Sequence, residues 1–338
     1  MSEAESTLTF KDFKSDQEVR WCPGCGDHAI MNSVLRALAE LGVPPSKYAF
    51  ISGIGCSSRF PYYVDTYGFH GIHGRAAAIA SGTKVANPDL NVWVITGDGD
   101  AMAIGGNHFI HLIRRNIDIN LIMFNNEIYG LTKGQYSPTS QKGTITKTSP
   151  FGTIEAPFHP GELVIGSQGR FFARSIDNNV KLSTEIFVEA AKHEGTSIVE
   201  VLQNCVIFNE LAHGDISDKE VREERQIILR HGEPMIFGKH MDKGLILDGM
   251  KLKVVRLGEN GVKEKDLLVH RSNENNPGIH TMLSNMRWPN YPVALGVIRN
   301  VSYPTYEVAL DSQIRKIRQT SEIQCMDDLL KSGATYTV

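Results

Sequence analysis

The stretch Thr96-Gly97-Asp98-Gly99-Asp100 directly follows an apolar run at residues 91–95 that is rich in β-branched side chains. Such a run predicts a buried strand, and the glycines allow a sharp turn that brings the backbone close to a ligand. Residues 104–116 have helical periodicity, and residues 120–124 predict a second strand that ends at Asn125-Asn126. The pattern therefore predicts a βαβ unit with polar residues after both strands, at the edge where open α/β sheets bind cofactors.

The polar residues at this predicted edge suit a magnesium ion and a diphosphate. Mg²⁺ prefers oxygen ligands and often binds through one or two protein groups together with phosphate oxygens. Asp98 offers a carboxylate, Asn126 an amide oxygen and Ile128 a backbone carbonyl, and the helix start after Gly99 offers N–H groups to phosphate. Each motif alone is also typical of an ordinary turn. Because residues 100–124, 25 in number, hold a helix and a strand between the two motifs, the arrangement resembles the thiamine-diphosphate fingerprint.

Segments with strand and helix patterns alternate on both sides of this unit. Strands are predicted at residues 48–52, 171–176 and 196–202, and helices at residues 28–40, 76–85 and 183–193, the first of them capped by Asp27. Alternation over residues 26–205 predicts an α/β fold with a doubly wound, mainly parallel sheet.

These patterns divide the chain into three parts. Residues 1–20 predict a polar N-terminal arm, in which Phe10 and Phe13 are candidate anchors onto a neighbouring chain. Residues 21–210 predict the α/β domain, and within it the long aperiodic segment 130–169 predicts a loop for function or partner contact. Residues 211–338 predict a C-terminal extension that contacts a partner, beginning with a charge-rich helix at residues 215–230.

The composition narrows the class of protein. The 338 residues include 35 basic and 38 acidic side chains, so the charge is nearly balanced, which argues against nucleic acid or an anionic membrane as a partner. The first residues are acidic and polar, unlike a signal peptide, and no apolar run is long enough to span a bilayer. We therefore expect a cytoplasmic protein.

Four of the five cysteines are predicted to meet near the cofactor edge. Cys22 and Cys25 flank a tight turn, Cys56 follows the strand at residues 48–52, and Cys205 follows the strand at residues 196–202. Four thiolates at one rim suit Zn²⁺ or a [4Fe–4S] cluster. Two other interpretations stay open, a thioredoxin-like dithiol at Cys22 and Cys25 and a set of independent buried thiols. Cys325 is isolated in the sequence and is interpreted as structural or incidental.

Several stretches in combination resemble the β subunit of the 2-oxoacid:ferredoxin oxidoreductases, most of all those that act on 2-oxoglutarate. They lie within about residues 20–210 and are Trp21-Cys22-Pro23-Gly24-Cys25-Gly26, Gly53-Ile54-Gly55-Cys56-Ser57-Ser58-Arg59, His73-Gly74-Arg75, Gly97-Asp98-Gly99-Asp100 and Asn125-Asn126-Glu127-Ile128-Tyr129-Gly130-Leu131-Thr132-Lys133-Gly134-Gln135.

The resemblance implies a role for each matching residue. Cys22, Cys25, Cys56 and Cys205 would hold a [4Fe–4S] cluster, and Asp98, Asn126 and the Ile128 carbonyl would hold Mg²⁺. His73 would line the thiazolium and act in catalysis, and Arg59 would lie near the substrate, where many relatives carry Lys. The residues expected to contact thiamine diphosphate are Ile54, Gly55, Cys56, Ser57, His73, Gly97, Asp98, Gly99, Asp100, Asn126, Ile128, Tyr129, Gly130 and Leu131.

The implied reaction is the oxidative decarboxylation of 2-oxoglutarate with coenzyme A to succinyl-CoA and CO₂, or the reverse, CO₂-fixing reaction. Electrons would pass singly from the thiamine adduct to the cluster and on to ferredoxin. An α subunit would supply the glutamate that activates the cofactor, in an (αβ)₂ assembly. Three alternatives stay open: a pyruvate or branched-chain 2-oxoacid as substrate, a simple decarboxylase or carboligase, and a zinc-stabilised scaffold subunit without the cofactor.

Overall fold

A computed structural model gives the fold of this chain, and the structure describes residues 8–334 and 336. The strands are β1 (Tyr48–Ser52), β2 (Tyr67–His70), β3 (Asn91–Gly97), β4 (Asn120–Asn125), β5 (Ile128–Tyr129), β6 (Gln135–Tyr136), β7 (Phe171–Ile176), β8 (Ser197–Leu202), β9 (Gln226–Leu229), β10 (Ile236–Phe237), β11 (Lys243–Asp248), β12 (Lys251–Arg256) and β13 (Val293–Asn300). The α-helices are α1 (Asp27–Leu41), α2 (Ala76–Ala86), α3 (Asp98–Met102), α4 (Gly106–Arg115), α5 (Pro160–Gly166), α6 (Val180–Lys192), α7 (Gly214–Ser217), α8 (Arg222–Arg225), α9 (Gly278–Ser284), α10 (Tyr306–Thr320) and α11 (Met326–Lys331). Short 3₁₀ helices lie at Phe10–Phe13, Pro45–Lys47, Ser57–Tyr62, Glu259–Gly261 and Glu264–Asp266.

The centre of the fold is an eight-stranded sheet with the order β2-β1-β3-β4-β8-β7-β13-β9. The first six strands of this order are parallel, β13 runs antiparallel to β7, and β9 is parallel to β13. Parallel strands all end at the same edge, so the loops after β1, β3, β4 and β8 meet there. The prediction of a doubly wound, mainly parallel α/β sheet is confirmed.

Alternate side chains of the central strands enter two hydrophobic cores, one on each face of the sheet. In β3, Trp93 and Ile95 pack with α1 and α6, whereas Val92 and Val94 pack with α2 and α4. Strands that are buried on both faces read as continuous apolar runs, which is why their positions could be predicted closely. The second core also includes residues of α5 and α9.

The last third of the chain completes the same sheet. Strands β9 and β13 form one edge of the sheet, beside β7, which lies within the predicted α/β domain. The sheet thus continues across the boundary predicted near residue 210. A separate three-stranded antiparallel sheet, in the order β10-β11-β12, lies between these two strands in sequence.

Several local predictions were wrong. Asp27 does not cap α1: Gly26 occupies the N-cap, and Asp27 is the first helical residue, 1% exposed. Residues 215–230 do not form one charged helix, because the segment breaks into α7 and α8 and then enters β9. The helix predicted at residues 104–116 begins at Gly106, after the separate helix α3. Phe13 packs inside its own chain against Tyr48, with ring centroids 5.9 Å apart, and does not anchor a neighbour.

Within the described residues, none of the helices combines the length and apolar character that crossing a bilayer requires.

Candidate cofactor site and thiol cluster

A cavity of about 540 Å³ lies at the carboxyl ends of β1, β3 and β4. We call it the cofactor cavity. It is lined by Ile54, Gly55, Cys56, Ser57, His73, Gly97, Asp98, Gly99, Asp100, Phe124, Asn126, Ile128, Tyr129, Gly130, Leu131, Thr132 and Gln135. The structure thus brings together every residue expected to contact the cofactor, and it adds Phe124, Thr132 and Gln135.

Asp98 lies at the start of α3 and is 2% exposed. Its Oδ2 accepts hydrogen bonds from Ser137 Oγ and Thr139 Oγ1, each at 2.5 Å. Burial raises the pKa of Asp98 to about 6, although these two hydroxyl groups act in the opposite direction. A buried carboxylate held by neutral hydroxyls rather than by a basic side chain suits a divalent cation, which would offset the cost of burying the charge. The donor set therefore fits the expected magnesium ion.

Asn125, the last residue of β4, and Asn126, which follows it, point to different sides of the sheet. Asn126 lines the cofactor cavity, whereas Asn125 is 3% exposed and donates from Nδ2 to Glu200 Oε1 at 2.8 Å. Thr139 Oγ1 lies 3.0 Å from Asn125 Oδ1 and so links Asn125 to Asp98. This division follows from the alternation of side chains along a strand. Asn126 offers its oxygen to the cavity, and Asn125 belongs to the layer behind it.

Asp100 supports the cavity wall from inside the fold. Its Oδ1 accepts hydrogen bonds from the backbone N–H groups of Ile54 at 3.0 Å and Gly74 at 2.7 Å, and from His73 Nδ1 at 2.8 Å. Its Oδ2 accepts from Thr96 Oγ1 at 2.7 Å. A carboxylate only accepts hydrogen bonds, so His73 carries a proton on Nδ1 and keeps Nε2 available to a ligand. The carboxylate of Asp100 is saturated, and a diphosphate would meet only its backbone.

Gly99 allows a close approach between α3 and the loop that follows β4. Tyr129 donates from its hydroxyl to the Gly99 carbonyl at 3.1 Å, and a Cβ atom at residue 99 would overlap the Tyr129 ring. The ring of Tyr129 also lies 6.1 Å from that of His73, centroid to centroid. The small residue thus lets an aromatic side chain close one wall of the cavity.

Cys22, Cys25, Cys56 and Cys205 form what we call the thiol cluster. A Cβ atom built on Gly130 would lie 3.6 Å from Cys205 Sγ and 3.7 Å from Cys56 Sγ, so these two sulfurs flank one residue of the cavity wall. Burial and the charge of Asp27 are the main causes that raise the pKa of Cys25 and Cys56, and neighbouring thiols add to both: Cys205 and Cys56 for Cys25, Cys205 and Cys22 for Cys56. The structure thus brings Cys56 and Cys205 to one wall of the cofactor cavity, and the convergence of all four cysteines stays a prediction.

Burial determines the protonation of the Cys25 and Cys56 thiols. Burial above all, with the carboxyl group of Asp27 next, raises the pKa of Cys56 to about 12, and the same two causes raise that of Cys25. Asp27 is itself buried beside Cys25, and burial raises its pKa to about 7. The free thiols of Cys25 and Cys56 are thus neutral at pH 7, and iron would have to displace their protons.

Arg59 and Cys325 are exposed and do not line the cofactor cavity. Among the residues described, no group of three or more His, Cys, Asp or Glu side chains is placed to hold a single metal ion. Arg59 does not line the cofactor cavity: it is exposed, in the 3₁₀ helix Ser57–Tyr62, and its charge acts on the pKa of Cys56. Cys325 is exposed, at the start of α11.

The sequence did not predict the residues that hydrogen-bond to the predicted ligands. Ser137, Thr139 and Gln203 are buried, and each contacts a predicted ligand or its neighbour. Their local signal is weak, because a Ser-Pro-Thr-Ser run in a long loop and a Gln after a strand are common. Only the position of the aperiodic segment 130–169 beside the Asn125-Asn126 motif indicated that the loop serves the site.

Comparison with known proteins agrees with this geometry. Residues 53–201 match the family model described as thiamine pyrophosphate enzyme, C-terminal TPP binding domain. These residues include the loops that form most of the cofactor cavity. Fold and site thus define a thiamine-diphosphate-binding domain.

Individual related proteins define the family more narrowly than the family model does. The chain is 47% identical over 331 residues to the 2-oxoglutarate oxidoreductase subunit KorB of Mycobacterium tuberculosis, an alignment that covers 97% of this chain and 88% of the relative. It is 39% identical to the 2-oxoglutarate synthase subunit KorB of Archaeoglobus fulgidus, over 71% of this chain and 92% of the relative. A solved structure, 2-oxoglutarate:ferredoxin oxidoreductase from Magnetococcus marinus with 2-oxoglutarate, coenzyme A and succinyl-CoA bound, superposes with a TM-score of 0.76 at 33% identity, over 96% of this chain and 95% of that one.

The chain belongs to the family of β subunits of the 2-oxoglutarate:ferredoxin oxidoreductases. It is therefore one subunit of a multi-subunit oxidoreductase.

Proposed function

We propose that this subunit binds thiamine diphosphate with Mg²⁺ in the cofactor cavity and one [4Fe–4S] cluster at the thiol cluster. Together with its α partner, as an (αβ)₂ assembly, it would convert 2-oxoglutarate and coenzyme A to succinyl-CoA and CO₂, or run the reverse reaction, with ferredoxin as electron carrier. Bound thiamine diphosphate supplies a nucleophile and an electron sink for the loss of CO₂, and an iron–sulfur cluster accepts single electrons.

The observation that carries this proposal is the wall shared by the two sites. Cys56 belongs to the thiol cluster and also lines the cofactor cavity, and Gly130 of the cavity lies against the sulfurs of Cys56 and Cys205. A simple decarboxylase has no use for an electron acceptor at this position, and a scaffold has no use for the cavity. Adjacent sites of these two kinds favour electron transfer between their ligands.

Side chains of this subunit would hold and orient the cofactor. Asp98 and Asn126, with the Ile128 carbonyl, would bind Mg²⁺, and the N–H groups at the start of α3 would meet the diphosphate. Asp100 fixes the tautomer of His73 with the proton on Nδ1, so that Nε2 can accept a hydrogen bond from a ligand in the cavity. We also assign Arg59 to the substrate side of the site, although in this chain it lies outside the cavity wall.

The test is anaerobic purification of the complex of this subunit and its α partner, with assays for iron, sulfide and thiamine diphosphate. We expect a brown protein whose visible absorbance bleaches when 2-oxoglutarate and coenzyme A are added. Cys205→Ser should abolish the bleaching, whereas Cys325→Ser, at an exposed thiol outside the cluster, should leave it unchanged. A colourless protein that contains zinc would refute the redox role, and bleaching by pyruvate alone would refute the substrate.

A further inference from the structure

Gln203 carries a buried side-chain amide beside the thiol cluster. The proposed function assigns no role to this amide. Gln203 follows β8 directly, is 1% exposed, and lies two residues before Cys205. Its side-chain Nε2 lies 3.3 Å from Cys25 Sγ and donates a second hydrogen bond to the Asn204 carbonyl at 2.6 Å. The amide therefore directs N–H groups at a backbone oxygen and at a predicted cluster ligand.

Contacts with the backbone fix the orientation of this amide. The carbonyl of Asn204 only accepts hydrogen bonds, so the NH₂ group rather than Oε1 must face it, and the same nitrogen then faces Cys25 Sγ. The backbone N–H of Gln203 donates to the Asn125 carbonyl at 2.9 Å, which anchors the residue at the end of β4. The Oε1 atom is buried without a hydrogen-bond partner among the described residues. The amide thus keeps its N–H toward sulfur while its own oxygen stays unpaired.

Carboxyl groups near the thiol cluster are the reason that an N–H group directed at the Cys25 sulfur matters. Besides burial, the carboxyl group of Asp27, 1% exposed, raises the pKa of Cys25, and that of Asp177, 8% exposed, raises the pKa of Asp27. Negative charge beside a cluster disfavours the addition of an electron, whereas a hydrogen bond donated to a ligand sulfur favours it, because the sulfurs become more negative on reduction. Burial and Asp27 raise the pKa of Cys56, whereas the basic side chain of Arg59 lowers it.

We propose that Gln203 is a positioning residue that raises the reduction potential of the cluster by donating a hydrogen bond to the Cys25 sulfur. This inference rests on the proposed function, since it requires a cluster at the four thiols. Gln203 is not a ligand, and its role is to ease the transfer of electrons from the cofactor cavity to the cluster.

The test is a redox titration, monitored by electron paramagnetic resonance, of the anaerobically purified complex with its α partner. Gln203→Met keeps the length of the side chain and removes both N–H groups. We expect the midpoint potential to become more negative, with iron and sulfide content retained and with slower cluster reduction by 2-oxoglutarate. Gln226→Met is the matched control: Gln226 is 9% exposed, and its Nε2 donates to the Ile216 carbonyl at 2.7 Å rather than to sulfur. The control should keep the wild-type potential.

A second variant, Gln203→Glu, keeps the shape of the side chain, replaces the N–H donors by a carboxyl group that carries negative charge when ionised, and should also lower the potential. An intact cluster with an unchanged potential in both variants would refute this inference and leave the proposed function standing. Loss of iron from both variants would show that Gln203 is purely structural and would equally refute it. Absence of iron and sulfide from the wild-type complex would instead refute the proposed function itself.

Discussion

Two aspartates two positions apart, Asp98 and Asp100, are equally buried and have different surroundings. Both are 2% exposed. Asp100 accepts four hydrogen bonds, from Ile54, His73, Gly74 and Thr96, which occupy its acceptor sites. Asp98 accepts two side-chain hydrogen bonds, both at Oδ2, and so retains capacity at Oδ1. The Asp-Gly-Asp stretch therefore supplies one carboxylate that can accept a further partner and one that builds the cavity wall.

Removing a hydroxyl that holds Asp98 should weaken magnesium binding. In Thr139→Val the carboxylate loses one of its two orienting donors, and groups of this kind typically contribute about 10- to 100-fold to metal affinity. We expect a loss in that range in a Mg²⁺ titration of thiamine-diphosphate binding, and a larger loss in Asp98→Asn. Thr148→Val, at an exposed position, is the control. Equal affinity in Thr139→Val and Thr148→Val would show that the hydroxyl does not position Asp98.

Gly53 is required by the saturated carboxylate of Asp100. A Cβ atom at residue 53 would overlap that carboxylate, which cannot move without breaking its hydrogen bonds. We expect Gly53→Ala to lower the free energy of unfolding by about 1–3 kcal/mol, as overpacking does. Gly106→Ala, where a Cβ atom meets nothing within 4 Å, should be neutral or slightly stabilising. Thermal unfolding of the two variants distinguishes them, and equal melting temperatures would contradict the expectation.

At the scale of elements, a charged layer lies in the sheet behind the cofactor cavity. Arg174 of β7 and Glu200 of β8 are neighbours in register, 0% and 1% exposed, with Nε and Oε2 2.7 Å apart. Burial would raise the pKa of Glu200, but the guanidinium groups of Arg174 and Arg287 and the hydrogen bond from Asn125 lower it below its ordinary value. Glu200 thereby stays ionised and holds Asn125 at the end of β4.

Removing one partner of this pair should be costly. Arg174→Met leaves Glu200 buried without its nearest positive charge, a change that typically lowers the free energy of unfolding by about 3–5 kcal/mol. The double variant Arg174→Met with Glu200→Gln removes the stranded charge and should recover a substantial part of that loss. Urea unfolding of the full chain measures both. A double variant that is no more stable than the single one would show that packing, rather than the buried charge, causes the loss.

The elements differ in how far the sequence predicts them. Strands β1 and β7 were predicted at their observed bounds, because both are buried apolar runs. Strand β2 was missed, since all four of its residues are exposed and only its pairing with β1 defines it. The segment at residues 215–230 was misassigned because its charges resemble a helix surface, while its end pairs as β9 with β13, far along the chain. Exposed or distant pairing leaves little local signal.

At the scale of the whole molecule, the parts of the site that lie at the carboxyl ends of strands could be predicted from the sequence. The sulfurs of Cys56 and Cys205 lie beside the same residue, Gly130, because the loops after β1 and β8 leave the sheet at one edge. Ser137 and Gln203 could not be predicted, because their contacts depend on loop geometry rather than on a motif. The contacts of the C-terminal extension could not be predicted either, because they join distant parts of the chain. Arg299 is buried and links β13 to distant loops through hydrogen bonds to the carbonyl oxygens of Gly169 and Glu274.

The junction between the extension and the sheet should make stability depend on pH. His270 is 1% exposed, its Nε2 donates to the Val297 carbonyl at 2.8 Å, and its Nδ1 is buried without a partner among the described residues. Burial lowers the pKa of His270 to about 4 from 6.5, and the nearby His280 and His231 act in the same direction. The unfolded chain therefore binds a proton near pH 6.5 that the folded chain binds only near pH 4. Stability from this group is complete above pH 6.5 and is lost as the pH falls toward 4, by about 2 kcal/mol between pH 7 and pH 5.

The measurement is urea unfolding of the full chain at pH 7 and pH 5. His270→Gln keeps an N–H donor for the Val297 carbonyl and cannot titrate, so its loss of stability over this interval should be smaller than that of the wild type by about the same 2 kcal/mol. His240→Gln, at an exposed histidine, should retain the wild-type dependence. Other buried histidines whose pKa is lowered, such as His193 and His213, should leave a residual slope in every variant. Equal losses of stability in His270→Gln and His240→Gln between pH 7 and pH 5 would contradict this expectation. They would show that protonation of His270 does not cause the loss of stability in acid.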